Sequence, residues 1–87
     1  MGTTEVDIVI KEILREHGHL YVDPLSLNED TDLFKAGMTS HANVNVMLAL
    51  EDAFDVAFDE QTARKNTFRT ISSIRAGVSE MRAKQEV

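Results

Sequence analysis

Ser40 holds the clearest chemical opportunity in this chain. It closes the run Gly37-Met38-Thr39-Ser40 and stands before the apolar stretch Val44-Asn45-Val46-Met47-Leu48-Ala49-Leu50. That order places a serine hydroxyl just after a loop, at the first turn of a helix. A hydroxyl there either caps the helix by accepting a backbone N–H or offers an attachment point to another group. Nucleophilic catalysis by Ser40 would need a base beside it. His41 is adjacent, but successive helical side chains point roughly 100° apart, so a direct hydrogen bond between the two is disfavoured. His17 and His19 lie two residues apart, which is poor for one helix face, and no cysteine joins them. A metal site is not expected from these histidines; helix-end or surface roles are. The acidic stretch before Ser40 also fails as a calcium loop. An EF-hand needs oxygen ligands at alternate positions and a glycine at the sixth. Counting from Asp30, Phe34 and Lys35 fall where a ligand and the glycine belong, and counting from Asp23, Leu25 and Leu27 break the pattern.

Composition narrows the classes further. A chain of 87 residues is expected to form one domain, with an ordered core over about residues 4–83. A domain of that size has little room for a deep active site and its support. The absence of cysteine excludes protein thiol chemistry and disulfides. No apolar run reaches transmembrane length and no signal peptide is legible, so a soluble cytoplasmic monomer is expected, without a membrane partner. The formal charge of −6 argues against nucleic acid. It is unevenly placed: Ser40 to Ala63 holds five acids (Glu51, Asp52, Asp55, Asp59, Glu60) and no lysine or arginine. Arg64 to Lys84 holds six basic residues and one acid. Solvated helix faces account for such a pattern, and so does steering of an oppositely charged partner.

The elements that must hold Ser40 are helical. Thr4 is placed to cap a first helix from about Glu5 to His17, whose stripe is Val6, Val9, Ile10, Ile13, Leu14 and His17 and which Gly18 stops. Residues 19 to 39, with Pro24, Asn28 and Gly37, read as a long loop that could contain a short helical turn. Leu20, Val22, Leu25, Leu27, Leu33 and Phe34 are spaced to pin it to a core. The second helix is expected from Ser40 to near Phe54. Val46, Leu50 and Phe54 form its stripe, and Val44, Met47 and Leu48 widen it, so this helix should lie centrally. Thr62 to Asn66 suggests a short third helix or turn. Thr67 is placed to cap a last helix through Phe68, Ile71, Ile74, Val78 and Met81, weakened slightly at Gly77 and fraying after Ala83. Val56-Ala57-Phe58 is too short for a strand of its own. The expected fold is an all-α, small antiparallel four-helix bundle with a long first loop and a short third helix.

Over nearly its whole length the chain resembles the acyl carrier protein family, which includes peptidyl and aminoacyl carrier proteins. Asp32-Leu33-Phe34-Lys35-Ala36-Gly37-Met38-Thr39-Ser40 is similar to the family's D-L-x-x-x-G-x-D-S. Val44 through Phe54 is similar to V-E-L-V-M-A-L-E-E-x-F, Val56 and Phe58 occupy an I-x-I segment, and Thr67 to Ile71 resembles T-V-x-D-L. The resemblance implies a bundle whose second helix begins at a serine carrying 4'-phosphopantetheine, transferred from coenzyme A by a phosphopantetheinyl transferase. Ser40 would be that serine. The arm's own thiol would hold cargo as a thioester, so the chain needs neither cysteine nor catalytic residues and is not an enzyme.

The resemblance also implies docking of partner enzymes around the serine and along the second helix, at Met38, Thr39, His41, Asn45, Glu51, Asp52 and Asp55. Three positions depart from the family pattern: Thr39 replaces an aspartate, His41 a leucine and Asn45 a commonly acidic residue. These departures imply a specialised partner set rather than the housekeeping fatty-acid carrier. The favoured reading is an amino acid cargo, loaded by a stand-alone ligase that looks like a truncated aminoacyl-tRNA synthetase and passed to a downstream acceptor. The alternatives are a modified fatty-acid, polyketide or nonribosomal-peptide pathway, or an unmodified interaction module with the same fold.

Overall fold

The apolar spacing of the N-terminal segment does produce a helix, but its last turn is not α-helical. In the computed structural model, which describes residues 3–64 and 66–85, α1 spans Thr3–Ile13 and continues into a π-helical turn, Leu14–Gly18. Thr4 therefore lies inside α1 rather than capping it. The left-handed residue that ends the run is His19 (φ 54°, ψ 43°), not Gly18. The wider π turn keeps Leu14 fully buried against α2, which spans Ser40–Phe54 as the spacing predicts. A short α3 follows at Glu60–Arg64, then a 3-10 turn at Asn66–Phe68, and α4 runs from Ile71 to Gln85. No strand forms among the described residues.

One core joins these elements. Ile10, Ile13 and Leu14 meet Val46, Leu50 and Phe54 of α2, and Ile71, Ile74, Val78 and Met81 of α4. Each such side chain taken fully out of water stabilises the fold by about 1.5–3 kcal/mol. Val56 closes the core after α2 and Phe68 before α4. Phe68 meets the half-buried Phe58 edge to face, ring centroids 5.4 Å apart.

Three local expectations change. Thr67 does not cap the last helix: its hydroxyl donates to the Thr62 carbonyl at 2.7 Å within the preceding turn. Thr70 takes the capping role, with its Oγ1 accepting the Ser73 amide at 3.0 Å. Gly77 marks a close approach rather than a weakness, because a Cβ there would stand 2.6 Å from Thr67 Cγ2. Finally, α4 continues past Ala83 to Gln85, and residues 86–87 lie outside the described residues.

The long first loop is held at several points. Pro24–Ser26 forms a 3-10 turn that Asp23 caps. Further on, the Leu33 amide donates to the Arg69 carbonyl at 2.7 Å, and the Ser72 amide donates to the Glu29 carbonyl at 3.0 Å. Arg75 of α4 reaches both oxygens of Asp7 on α1, at 2.8 and 2.9 Å, and Glu29 at 3.5 Å. These carboxylates push the Arg75 pKa upward, chiefly through the hydrogen bond to Asp7. Leu33 is fully buried, and Leu20 and Leu27 pack against the core. Val22, Leu25 and Phe34 instead face solvent, so half of the expected apolar pins do not pin.

Candidate functional site

The loop reaches Ser40 through a tight turn. Asp32 Oδ1 accepts the amides of Phe34 and Lys35 at 2.9 and 3.2 Å. The amides of Ala36 and Met38 donate back to the carbonyls of Asp32 and Leu33. Gly37 has φ +118°, a left-handed value that side chains rarely tolerate, and a Cβ there would also press on the Tyr21 ring at 3.2 Å. The Tyr21 amide is bonded to the Ala36 carbonyl at 2.9 Å, so the ring lies over the turn while remaining 84% exposed. Met38 is only 3% exposed. It anchors the turn in the core and offers nothing to a docking partner, contrary to expectation.

The next two residues divide the roles that the sequence left open. Thr39 has extended backbone (φ −86°, ψ 167°), and its Oγ1 accepts the Ala42 amide at 3.0 Å. Its carbonyl accepts the Asn43 amide at 2.9 Å. Thr39 is thus the N-cap, a residue earlier than Ser40. Ser40 is the first residue of a 15-residue helix and is exposed, and its hydroxyl has no hydrogen bond among the described residues. The amides of Ser40 and His41 precede any helical acceptor and point out of the helix end. No carboxylate lies in the first turn of α2. A free hydroxyl beside two outward amides, at the positive end of a long helix, fits a phosphodiester on Ser40.

The remaining expected docking residues differ in how far the fold engages them. His41, Asp52 and Asp55 are exposed, and their side chains have no partner among the described residues. Asn45 is half-buried. Glu51 is engaged within the fold: its Oε2 accepts the Phe58 amide at 2.8 Å, and its carbonyl accepts the Val56 amide at 3.1 Å. It shapes the chain's exit from α2, where Asp55 sits in the left-handed region (φ 53°, ψ 50°). Asp59 is engaged as well, capping α3 through the Thr62 amide at 2.7 Å and meeting Lys84 at 3.1 Å. The acidic stretch is therefore partly structural.

Sequence reasoning also missed two exposed residues. Val44 and Leu48 were expected to widen the buried stripe of α2, yet they are 48% and 53% exposed. With Ser40 they recur every four residues along one side of the helix. An apolar pair aligned with the chemical residue was the available signal.

Comparison with known proteins gives this geometry its context. The family model described as "Phosphopantetheine attachment site" matches residues 9–76. The chain belongs to this family. An aminoacyl carrier protein of Agrobacterium fabrum is 33% identical over 69 residues, covering 79% of this chain and 83% of that protein. The fold matches a chain in the crystal structure of an engineered Bradyrhizobium japonicum glycine:carrier-protein ligase, complexed with carrier protein from Agrobacterium tumefaciens and AMP. That match has a TM-score of 0.81 and 33% identity, covering 84% of this chain and 97% of that one. A solution structure from Agrobacterium tumefaciens matches with a TM-score of 0.73 and 31% identity, covering 92% of this chain and 96% of that one. The group carried by the family is phosphopantetheine. Among the described residues, no group of side chains suits a metal ion, and no helix is long and apolar enough to cross a membrane.

Proposed function

We propose that Ser40 carries 4'-phosphopantetheine, that the 87 residues act as one carrier domain, and that the cargo is an amino acid. The observation that carries this reading is the division of labour at the start of α2. Thr39 satisfies the helix, which leaves the Ser40 hydroxyl free for esterification. When bound, the arm supplies a thiol that holds an acyl group as a thioester. The chain's own contribution is positional. The Gly37 turn and the buried Met38 fix where α2 begins, and the outward amides of the first turn favour the added negative charge. No catalysis by the chain itself is required.

The partner set follows from the same reading. A phosphopantetheinyl transferase modifies Ser40, an amino acid ligase loads the thiol, and a downstream enzyme accepts the cargo. The carrier works as a monomer in the cytoplasm. The amino acid assignment draws support from the aminoacyl carrier relative and from the glycine:carrier-protein ligase bound to the structural relative. Docking is expected on the exposed face of α2, through His41, Val44, Leu48, Asp52 and Asp55, with Thr39 and Asn45 at its edges.

Incubation with coenzyme A and a broad-specificity phosphopantetheinyl transferase tests the reading by intact-mass measurement. One phosphopantetheine mass is expected on the wild type and none on Ser40→Ala. Loading with glycine by a glycine:carrier-protein ligase then tests the cargo. Absence of the added mass would leave an unmodified interaction module. A modified carrier that takes acyl groups but no amino acid would point to a fatty-acid, polyketide or nonribosomal-peptide pathway.

A further inference from the structure

We infer that His41 is a positioning residue for the base of the arm, with its imidazolium pairing with the phosphodiester on Ser40. The inference rests on the attachment reading above and goes beyond it, because it assigns His41 a role toward the bound group itself. Three observations converge. His41 directly follows Ser40 in the first turn of α2, is exposed, and has no partner among the described residues. Between Lys35 and Arg64 there is no lysine or arginine, so His41 is the single side chain in that stretch able to become cationic near Ser40. Helical Cα–Cβ bonds lean toward the N-terminus. Both side chains therefore lean out past the helix start, on the side where the free amides point.

The angle that denies a direct hydrogen bond between Ser40 Oγ and the imidazole does not deny this pairing. A phosphodiester extends beyond Oγ and presents two unesterified oxygens carrying one negative charge. Ion pairing depends on distance and needs no fixed line of approach. Competing charges are few. The π turn packed against α2 offers Arg15, Glu16 and His17, with His17 Nε2 already 3.6 Å from Glu16. Packed beside it, α1 offers Glu5, Asp7, Lys11 and Glu12, with Asp7 held by Arg75. Lys35 and Asp32 precede the Gly37 turn, and Asp32 is engaged with the loop amides and, at 3.9 Å, with Arg69. None of these groups forms an ion pair or hydrogen bond with His41. The imidazole of the unmodified carrier thus has no charged partner among the described residues. Modification places a negative charge beside it, which favours protonation. The arm's base is then held more firmly to the helix end below the imidazole pKa than above it.

The test is spectroscopic and needs no loading reaction. The carrier is converted with coenzyme A and a broad-specificity transferase, and the added mass is checked. The phosphorus resonance of the purified product is then followed from about pH 5 to about 8, the range in which histidine titrates. A phosphodiester has no proton to lose there, so an inflection reports a neighbouring group. The expected result is an inflection that vanishes in His41→Gln and persists in His17→Gln and His19→Gln. The His41 imidazole pKa, read from its ring proton shifts, is expected to rise by about 0.5 or more on modification. A flat phosphorus titration, or the same His41 pKa before and after modification, overturns the inference while leaving the attachment reading intact. No added mass on the wild type overturns both.

Discussion

Two helices of this molecule begin alike, each just after a threonine, yet a serine in the first turn of each meets an opposite fate. Both α2 and α4 contain 15 residues, and each has a threonine immediately before it, Thr39 and Thr70. At α4 the Thr70 hydroxyl accepts the Ser73 amide, and Ser73 Oγ accepts the Thr70 amide, both at 3.0 Å. Ser73 Oγ is also within donating distance of the Thr67 carbonyl, 2.7 Å, and of the Thr70 carbonyl, 2.9 Å. That hydroxyl is saturated by the fold. At α2 the threonine caps alone and Ser40 is free. A serine near a helix start becomes available for chemistry when another residue satisfies the amides and its own hydroxyl is left exposed.

The largest expected contrast is between the two serines. Ser40→Ala is expected to abolish phosphopantetheine addition and leave the urea midpoint near that of the wild type, since it removes no hydrogen bond. Ser73→Ala should do the reverse: full modification by mass, with stability reduced by about 1–2 kcal/mol.

The turn and packing glycines come next. Gly37→Ala forces a side chain into a left-handed position and against Tyr21. It is expected to cost about 1–3 kcal/mol and to slow modification as well, because the same turn sets where α2 starts. Gly77→Ala should cost a similar amount, about 1–3 kcal/mol, with no effect on the modification rate. Adding Thr67→Ser to it removes the clashing Cγ2 and keeps the hydroxyl bond to Thr62, so stability should largely return. Equal modification rates for the two alanine variants would break the proposed link between turn and site.

A smaller effect sharpens the comparison of caps. Thr39→Ala should lower stability by about 1 kcal/mol, and Thr39→Ser should restore it in thermal unfolding.

The smallest effect concerns the start of α3. The Thr62 hydroxyl and amide, then Lys84, hold the Asp59 carboxyl down to about 2 from 3.8. A depressed carboxyl stabilises the fold above its unfolded pKa, and that contribution is lost as pH falls through the folded value. Asp59→Asn should therefore lie below the wild type in urea midpoint near neutral pH and show less decline between 3.8 and about 2.

Much of this was legible without a structure. The recurrence of Val46, Leu50 and Phe54, and of Ile71, Ile74, Val78 and Met81, follows from helical geometry, and all seven side chains are buried. The errors share a cause. A threonine before an apolar run reads as a cap, which points to Thr4 and Thr67, but a cap requires that the helix begin there, and competing threonines stand nearby. Hydropathy assigns Val44 and Leu48 to the core, while the fold covers the side of α2 that carries Ala42, Val46, Leu50 and Phe54 and leaves those two outside it. Glu51 was read as a free docking charge, and its bond to the Phe58 amide depends on how the chain leaves the helix.

The sequence by itself determined the helical periodicity, the order of elements, the absence of protein thiols and the position of Ser40. These are local properties, set by residue type and by spacing along the chain. Only the tertiary structure decided which hydroxyls remain free, which acids remain free and which apolar residues face outward. Those outcomes depend on partners distant in sequence. Leu33 is tied to Arg69 and Met38 is buried in the core, and together they fix the start of α2. A shift of one residue in that start would change whether Thr39 or Ser40 meets the helix amides.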